Sequence, residues 1–198
     1  VAITVTNTAG ASFGTTALAV GASFTGGAGA DAVLLGANTS AITMGDGNDT
    51  VTSAGIVGTG GTVDGGGGDG DTIVMSGAEA VLASANANFN AAFSNFEALT
   101  ITAGGAAAIN LAGLNNATNV NTSGQAGITA LSGFQSGGTI NLTGATGGVA
   151  GDVQAIITNA NLNPADIVNL KLTNSSAGVV GFGIVTAANV ETVNISTV

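Results

Sequence analysis

The sequence predicts an all-β fold, a right-handed parallel β-roll or β-solenoid with nine-residue turn repeats and one or two short helices. Three observations carry this expectation. Residues 26–52, "GGAGADAVLLGANTSAITMGDGNDTVT", divide into three nine-residue units laid end to end. Elsewhere, short segments alternate aliphatic with Thr, Asn or Ser residues at period two, the pattern of a half-buried strand. Strand-like aliphatic positions then recur at Leu99, Val120, Ile140, Leu170 and Val193, a spacing in the range of solenoid coils. Each such coil is too small to bury its own apolar face and has to stack on the next. An antiparallel sandwich, which also shows many short strands, is the alternative.

The strand segments are "AITVT" (Ile3, Val5), "ALTIT" (Leu99, Ile101), "AINLA" (Ile109, Leu111), "TINLT" (Ile140, Leu142), "VNLKLT" (Val168, Leu170, Leu172) and "TVNIS" (Val193, Ile195). Two stretches break the pattern. Phe89, Phe93 and Phe96 fall at helical spacing and read as core contacts, and 151–163 reads as a short helix ending before Pro164. The expected organisation is opening strands over 1–23, a β-roll over 24–76, and solenoid strand repeats with short helical insertions over 77–198.

Composition narrows the chemistry. The 198 residues include 34 Gly and one Pro, and only 6% are charged. Cys, His, Trp and Tyr are absent, which removes disulfides, thiol redox, His-ligated metals and nucleophile–imidazole pairs. No catalytic constellation assembles, and the segment is not expected to be an enzyme. The net charge is -10 with Lys171 the single basic residue, so neither nucleic acid nor anionic lipid is an expected partner and a cation is. No apolar run reaches the roughly 20 residues of a membrane helix, so membrane insertion is not expected. The chain begins with Val and neither end reads as a natural terminus, so a segment of a longer polypeptide is expected.

The turn units carry the functional signal. "GGAGADAVL" (26–34) fits the pattern G-G-x-G-x-D-x-U-x at every specified position, with Asp31 as the acid and Val33 as the aliphatic U. "MGDGNDTVT" (44–52) loses only the first Gly, and "LGANTSAIT" (35–43) holds the register with Asn38 and Ser40 in place of Gly and Asp. Six turn residues and three strand residues per unit make two units one coil, so Asp31 and Asp49 fall on the same side of successive coils. At a strand separation of about 4.8 Å, two carboxylates repel by roughly 3 kcal/mol at an effective dielectric near 20. A divalent cation reverses that sign. Hard oxygen donors in a flexible turn, with no nitrogen or sulfur ligand, favour Ca²⁺. The candidate ligands are Asp31, Asp46, Asp49, Asp69 and Asp71, with Gly27, Gly29, Gly45 and Gly47. Asp69 and Asp71 come from "VDGGGGDGDTIV" (63–74). Asp71 follows Asp49 at a longer interval than Asp49 follows Asp31, so the loop at 53–62 has to bulge.

Weaker signals have simpler readings. N-x-S/T triplets such as Asn48-Asp49-Thr50 are expected by chance in a chain this rich in Asn and Thr. Glu97 and Glu191 take equivalent places in "NFEALTIT" and "NVETVNIS" and read as structural groups that satisfy turn amides.

The stretches 24–52 and 60–74, with "FSNFEALTITAG" and "AANVETVNIST", resemble the RTX-containing, calcium-dependent surface-layer (S-layer) proteins of Gram-negative bacteria, exported by type I secretion. The resemblance covers about a third of the chain, and its RTX part is specific for calcium but not for surface layers. It implies a structural protein that folds and self-assembles at the cell surface on meeting Ca²⁺, with copies of itself and cell-surface polysaccharide as partners. The alternative is a calcium-folded spacer or secretion module of a larger secreted adhesin or hydrolase.

Overall fold

The computed structural model describes residues 1–36, 40–53, 61–102, 106–123, 128–146, 152–174 and 180–198. The chain is mostly β, and consecutive strands pass back and forth between sheets. The largest sheet has nine strands: Ser12–Phe13, Ala32–Leu34, Thr50–Thr52, Thr72–Met75, Ala98–Ile101, Asn119–Ser123, Thr139–Thr143, Ile167–Thr173 and Thr192–Thr197. In the first half of the chain its strands alternate with a five-stranded sheet formed by Ala2–Thr4, Ser23–Thr25, Ile42–Thr43, Val63–Asp64 and Phe93–Ser94. In the second half they alternate with a four-stranded sheet of Ala106–Asn110, Ile128–Phe134, Val153–Ile157 and Val185–Ala187. Every pairing within these three sheets is parallel, which sets aside the antiparallel sandwich. Ala145–Thr146 and Val180–Gly181 form a small antiparallel pair.

Register follows the aliphatic residues. Val33, Val51, Ile73, Leu99, Val120, Ile140 and Leu170 are each directly opposite the next, a column of buried side chains across seven strands. Burying one Val, Leu or Ile side chain contributes about 1.5–3 kcal/mol, and a one-residue slip would turn the whole set outward. Phe24, Ile42, Val63 and Phe93 of the five-stranded sheet belong to the same hydrophobic cluster, which runs from Val5 to Leu170. On the outer face of the large sheet Asn121 Nδ2 donates to Thr100 Oγ1 at 3.1 Å, Asn141 Nδ2 to Asn121 Oδ1 at 3.3 Å, and Thr173 Oγ1 to Asn141 Oδ1 at 2.8 Å. This neutral ladder joins neighbouring strands with no charge.

The recurrence expected from Leu99 through Val120 and Ile140 to Leu170 matches the observed pairing. The last step does not: Leu170 lies opposite Ile195, and Val193 opposite Val168. Two helices, Gly77–Ser84 and Ala87–Ala92, stand between Thr72–Met75 and Phe93–Ser94. Ser76 caps the first, with reciprocal bonds to the Glu79 backbone and side chain. The helix packs on Ala106–Asn110 and so covers an edge of the four-stranded sheet. Phe89 lies in the second helix and Phe93 ends it, their rings stacked at 4.0 Å. Both belong to the core, as does Phe96 in the following turn. The expected helix at 151–163 is instead the strand Val153–Ile157 followed by a single 3-10 turn, Ala160–Leu162. Val153, Ala155 and Ile157 are buried in alternation, so period two prevails, and Leu162 is exposed and offers no helical apolar face.

Phe89→Ala is expected to lower stability by about 3–5 kcal/mol, and exposed Leu82→Ala to change it by less than about 0.5 kcal/mol, in urea unfolding under identical solution conditions.

Candidate metal centre

Asp31, Asp49 and Asp71 each precede a strand of the nine-stranded sheet by one residue. Ala32 lies opposite Thr50 and Thr50 opposite Thr72, so the three acids form one column two residues below the aliphatic one. Because residues two apart share a face of a strand, the acids point inward like Val33, Val51 and Ile73. Asp31 is 2% exposed, and Asp49 and Asp71 are 0% exposed. A carboxylate at that depth needs partners or a counter-charge.

Backbone amides supply part of the need. Asp49 Oδ1 accepts the Asp31 N–H at 2.7 Å, and Asp71 Oδ1 accepts the Asp49 N–H at 2.8 Å. Glu97 extends the series, its Oε2 accepting the Asp71 N–H at 3.0 Å. At the other end each Asp31 oxygen accepts one amide and keeps a second lone pair, Oδ1 taking the Ala11 N–H at 2.6 Å and Oδ2 the Gly27 N–H at 3.0 Å. Asp49 Oδ2 and Asp71 Oδ2 are buried with no hydrogen-bond partner among the described residues. These two orphaned oxygens are where the donor set fits a cation.

The turns beside the column stack backbone on backbone. The Asp46 N–H donates to Gly27 O at 2.8 Å and the Gly67 N–H to Gly45 O at 2.7 Å. Gly45 and Gly66 both have φ +97°, and a Cβ on either would overlap the carbonyl of the glycine one turn earlier, Gly27 or Gly45. Only glycine allows this approach. The Gly27 and Gly45 carbonyls keep a second lone pair each. Gly29 is packed against the Thr8–Gly10 backbone, and the Gly47 N–H donates to Gly67 O at 2.8 Å.

The structure therefore aligns Asp31, Asp49 and Asp71 in one column and stacks Gly45 on Gly27 and Gly47 on Gly29, with Gly27 bonded to Asp31, while the exposed Asp46 and Asp69 lie in the turns outside the column. Asn38 and residues 54–60 of the expected bulge lie outside the described residues. Asp64 is not among the sequence candidates, yet its Oδ1 accepts from the Gly66 N–H at 3.1 Å and Asn95 Nδ2 at 2.8 Å. Its signal is the "VDGG" phrase that opens the third acidic turn. The expected role of Glu97 and Glu191 on turn amides is observed, at Asp71 and at Asp166. Among the described residues no three Asp, Glu, His or Cys side chains gather around one point. A cation at the column has to complete its shell with backbone carbonyls. No family model matches the chain, and no curated protein matches it.

Burial pushes the Asp49 carboxyl from an ordinary value of 3.8 up to about 6; the Asp31 N–H opposes the rise, and the charges of Asp71, Asp31 and Asp46 add to it. Asp71 is raised for the same first reason, with Glu97 and Asp64 adding to it. A carboxyl with a raised folded pKa holds its proton longer in the folded chain, so the folded state loses stability as pH rises. In chelator, the melting temperature is expected to fall between pH 4 and pH 7. A thermal melt that is flat or rising over that range, without metal, would show that these carboxyls are not stranded.

Proposed function

We propose that this chain is a calcium-folded β-roll continued by a right-handed β-solenoid, a segment of a self-assembling extracellular surface-layer protein of the RTX kind. The single observation that carries the reading is the buried, in-register acid column with unpartnered oxygens on Asp49 and Asp71. Asp31, Asp49 and Asp71, with the carbonyls of Gly27, Gly29, Gly45 and Gly47, are the residues that hold Ca²⁺. The ion supplies the positive charge that a chain with one basic residue lacks. The residues themselves keep the turns in register, exclude bulk water from the column and hold each carboxylate against an amide. Asp46 and Asp69, exposed in the turns, add negative potential that draws the cation in.

Assembly rests on different features. The nine-stranded sheet has open edges at Ser12–Phe13 and Thr192–Thr197, and its outer Thr/Asn face carries a single charged side chain, Lys171. Natural monomers blunt such edges with Lys, Pro or a covering element. Bound Ca²⁺ lowers the repulsion between copies that each carry a charge of -10.

Asp49→Asn is expected to weaken Ca²⁺ binding by at least about tenfold, since ligand charge sets affinity in oxygen sites. Asp152→Asn is expected to leave binding unchanged, because Asp152 is exposed outside the column and its Oδ1 accepts the Ile184 N–H at 2.8 Å. Equal effects in a calorimetric calcium titration sink the site. In the full-length protein, ordered sheets, tubes or filaments are expected by electron microscopy at about 10⁻⁴ to 10⁻³ M Ca²⁺, the range of extracellular sites. A monodisperse monomer at saturating Ca²⁺ replaces the lattice reading with that of a calcium-folded spacer or secretion module.

A further inference from the structure

Far from the repeats, the turn before the strand Ile167–Thr173 buries one acid among exposed neighbours. Residues 161–165 are exposed, yet Asp166 is 1% exposed. Its Oδ1 accepts from Asn163 Nδ2 at 2.8 Å, and its Oδ2 is buried with no hydrogen-bond partner. Its N–H donates to Glu191 Oε2 at 2.9 Å, and its carbonyl accepts the Thr192 N–H at 3.1 Å. Asn163 and Glu191 line an open cleft of about 380 Å³ together with Asn161, Pro164 and Asn189.

The arrangement repeats the one at Asp71. There the N–H donates to Glu97 Oε2 at 3.0 Å, the carbonyl accepts the Ala98 N–H at 2.9 Å, and Oδ2 is again buried without a partner. Asn95 and Asn189, two residues before each Glu, share a left-handed φ of 58°. The chain thus builds the same acid-over-acid device twice, once at the repeats and once where no nonapeptide exists. Lys171, the only basic side chain, cannot neutralise Asp166. It lies further along the same strand on the outward face, about 16 Å away at a rise of about 3.3 Å per residue.

We propose that Asp166, Glu191 and Asn163 form a second divalent-cation site, of Ca²⁺ type, outside the nonapeptide repeats. Two carboxylates and the Asn163 side-chain amide oxygen give a hard, oxygen-only donor set of charge −2, and the cleft brings water to the Asn163 and Glu191 side of the ion only, since Asp166 lies behind them, outside the cleft's lining. The cation neutralises a carboxylate that no basic side chain of this chain reaches. The proposal stands on its own geometry and does not rest on the RTX reading.

The test is a calorimetric Ca²⁺ titration of the 198-residue chain and of Asp166→Asn, Glu191→Gln and Asp49→Asn, each checked for fold by circular dichroism. Asp166→Asn and Glu191→Gln are each expected to remove one equivalent of bound Ca²⁺ or weaken it at least tenfold, and Asp49→Asn to leave that equivalent in place. Unchanged stoichiometry and affinity in both Asp166→Asn and Glu191→Gln overturn the proposal. Because Asp166→Asn can disturb the turn, crystals of the unsubstituted chain soaked in a lanthanide give a second readout. An anomalous peak about 2.3–2.6 Å from Asp166 Oδ2 supports the site, and none at saturating lanthanide overturns it. Binding lost at the repeats but kept at Asp166 refutes the RTX reading alone.

Discussion

A buried carboxylate that accepts the backbone N–H of the acid beside it on the preceding strand is the contact on which the rest of this molecule depends. From Glu97 to Asp71, Asp71 to Asp49 and Asp49 to Asp31, the bond repeats with distances of 2.7 to 3.0 Å. A charged acceptor makes such a bond stronger than a neutral one. Its position one residue before each strand locks register, and the aliphatic column two residues on follows from it. The same contact creates the electrostatic problem, since it brings carboxylates together at a depth where water cannot reach Asp49 Oδ2 or Asp71 Oδ2. Stability and the demand for positive charge therefore share one origin.

The two halves of the large sheet answer the joining of strands differently. Where the turns are rich in glycine, successive strands meet through acids and stacked backbone. Past Glu97 the equivalent positions are Thr118 and Gly138, and no carboxylate is used. There the Asn121–Asn141 ladder and the aliphatic column hold the strands. At the next pairing Ile140 lies opposite Leu170, which puts Ser136 beside Asp166, and the acid pair Asp166–Glu191 begins two residues nearer the turn.

Legibility follows how local the signal is. The Asp31–Asp49 column is readable because glycine spacing and a period-two strand fix both turn and face within a single nonapeptide. Asp71 is readable in spite of its longer coil, since "DTIV" repeats the acid-x-aliphatic phrase of "DAVL" and "DTVT". Asp166 carries the same phrase in "DIVN" but follows Pro164 and Ala165 instead of glycine, so nothing local marks it as buried. Its signal is long-range: the phrase of Asn189 and Glu191 stands one coil after Asp166, as that of Asn95 and Glu97 stands one coil after Asp71. The segment 153–157 reads as helix in sequence because so short a run carries too few periods to separate strand from helix, and the following Pro suggests a helix end.

The direction of the acid-to-amide bond gives the stack a polarity. Every carboxylate in the column reaches back toward the chain's beginning, so each strand start is completed by its successor and not by its predecessor. Damage therefore travels one way. Loss of the Asp71 side chain strands the Asp49 amide, whereas loss of the Asp31 side chain leaves the Asp49 bond whole, because Asp49 uses only the backbone of Asp31. A defect loosens what was laid down before it and spares what comes after, as in a chain of hooks that all face the same way.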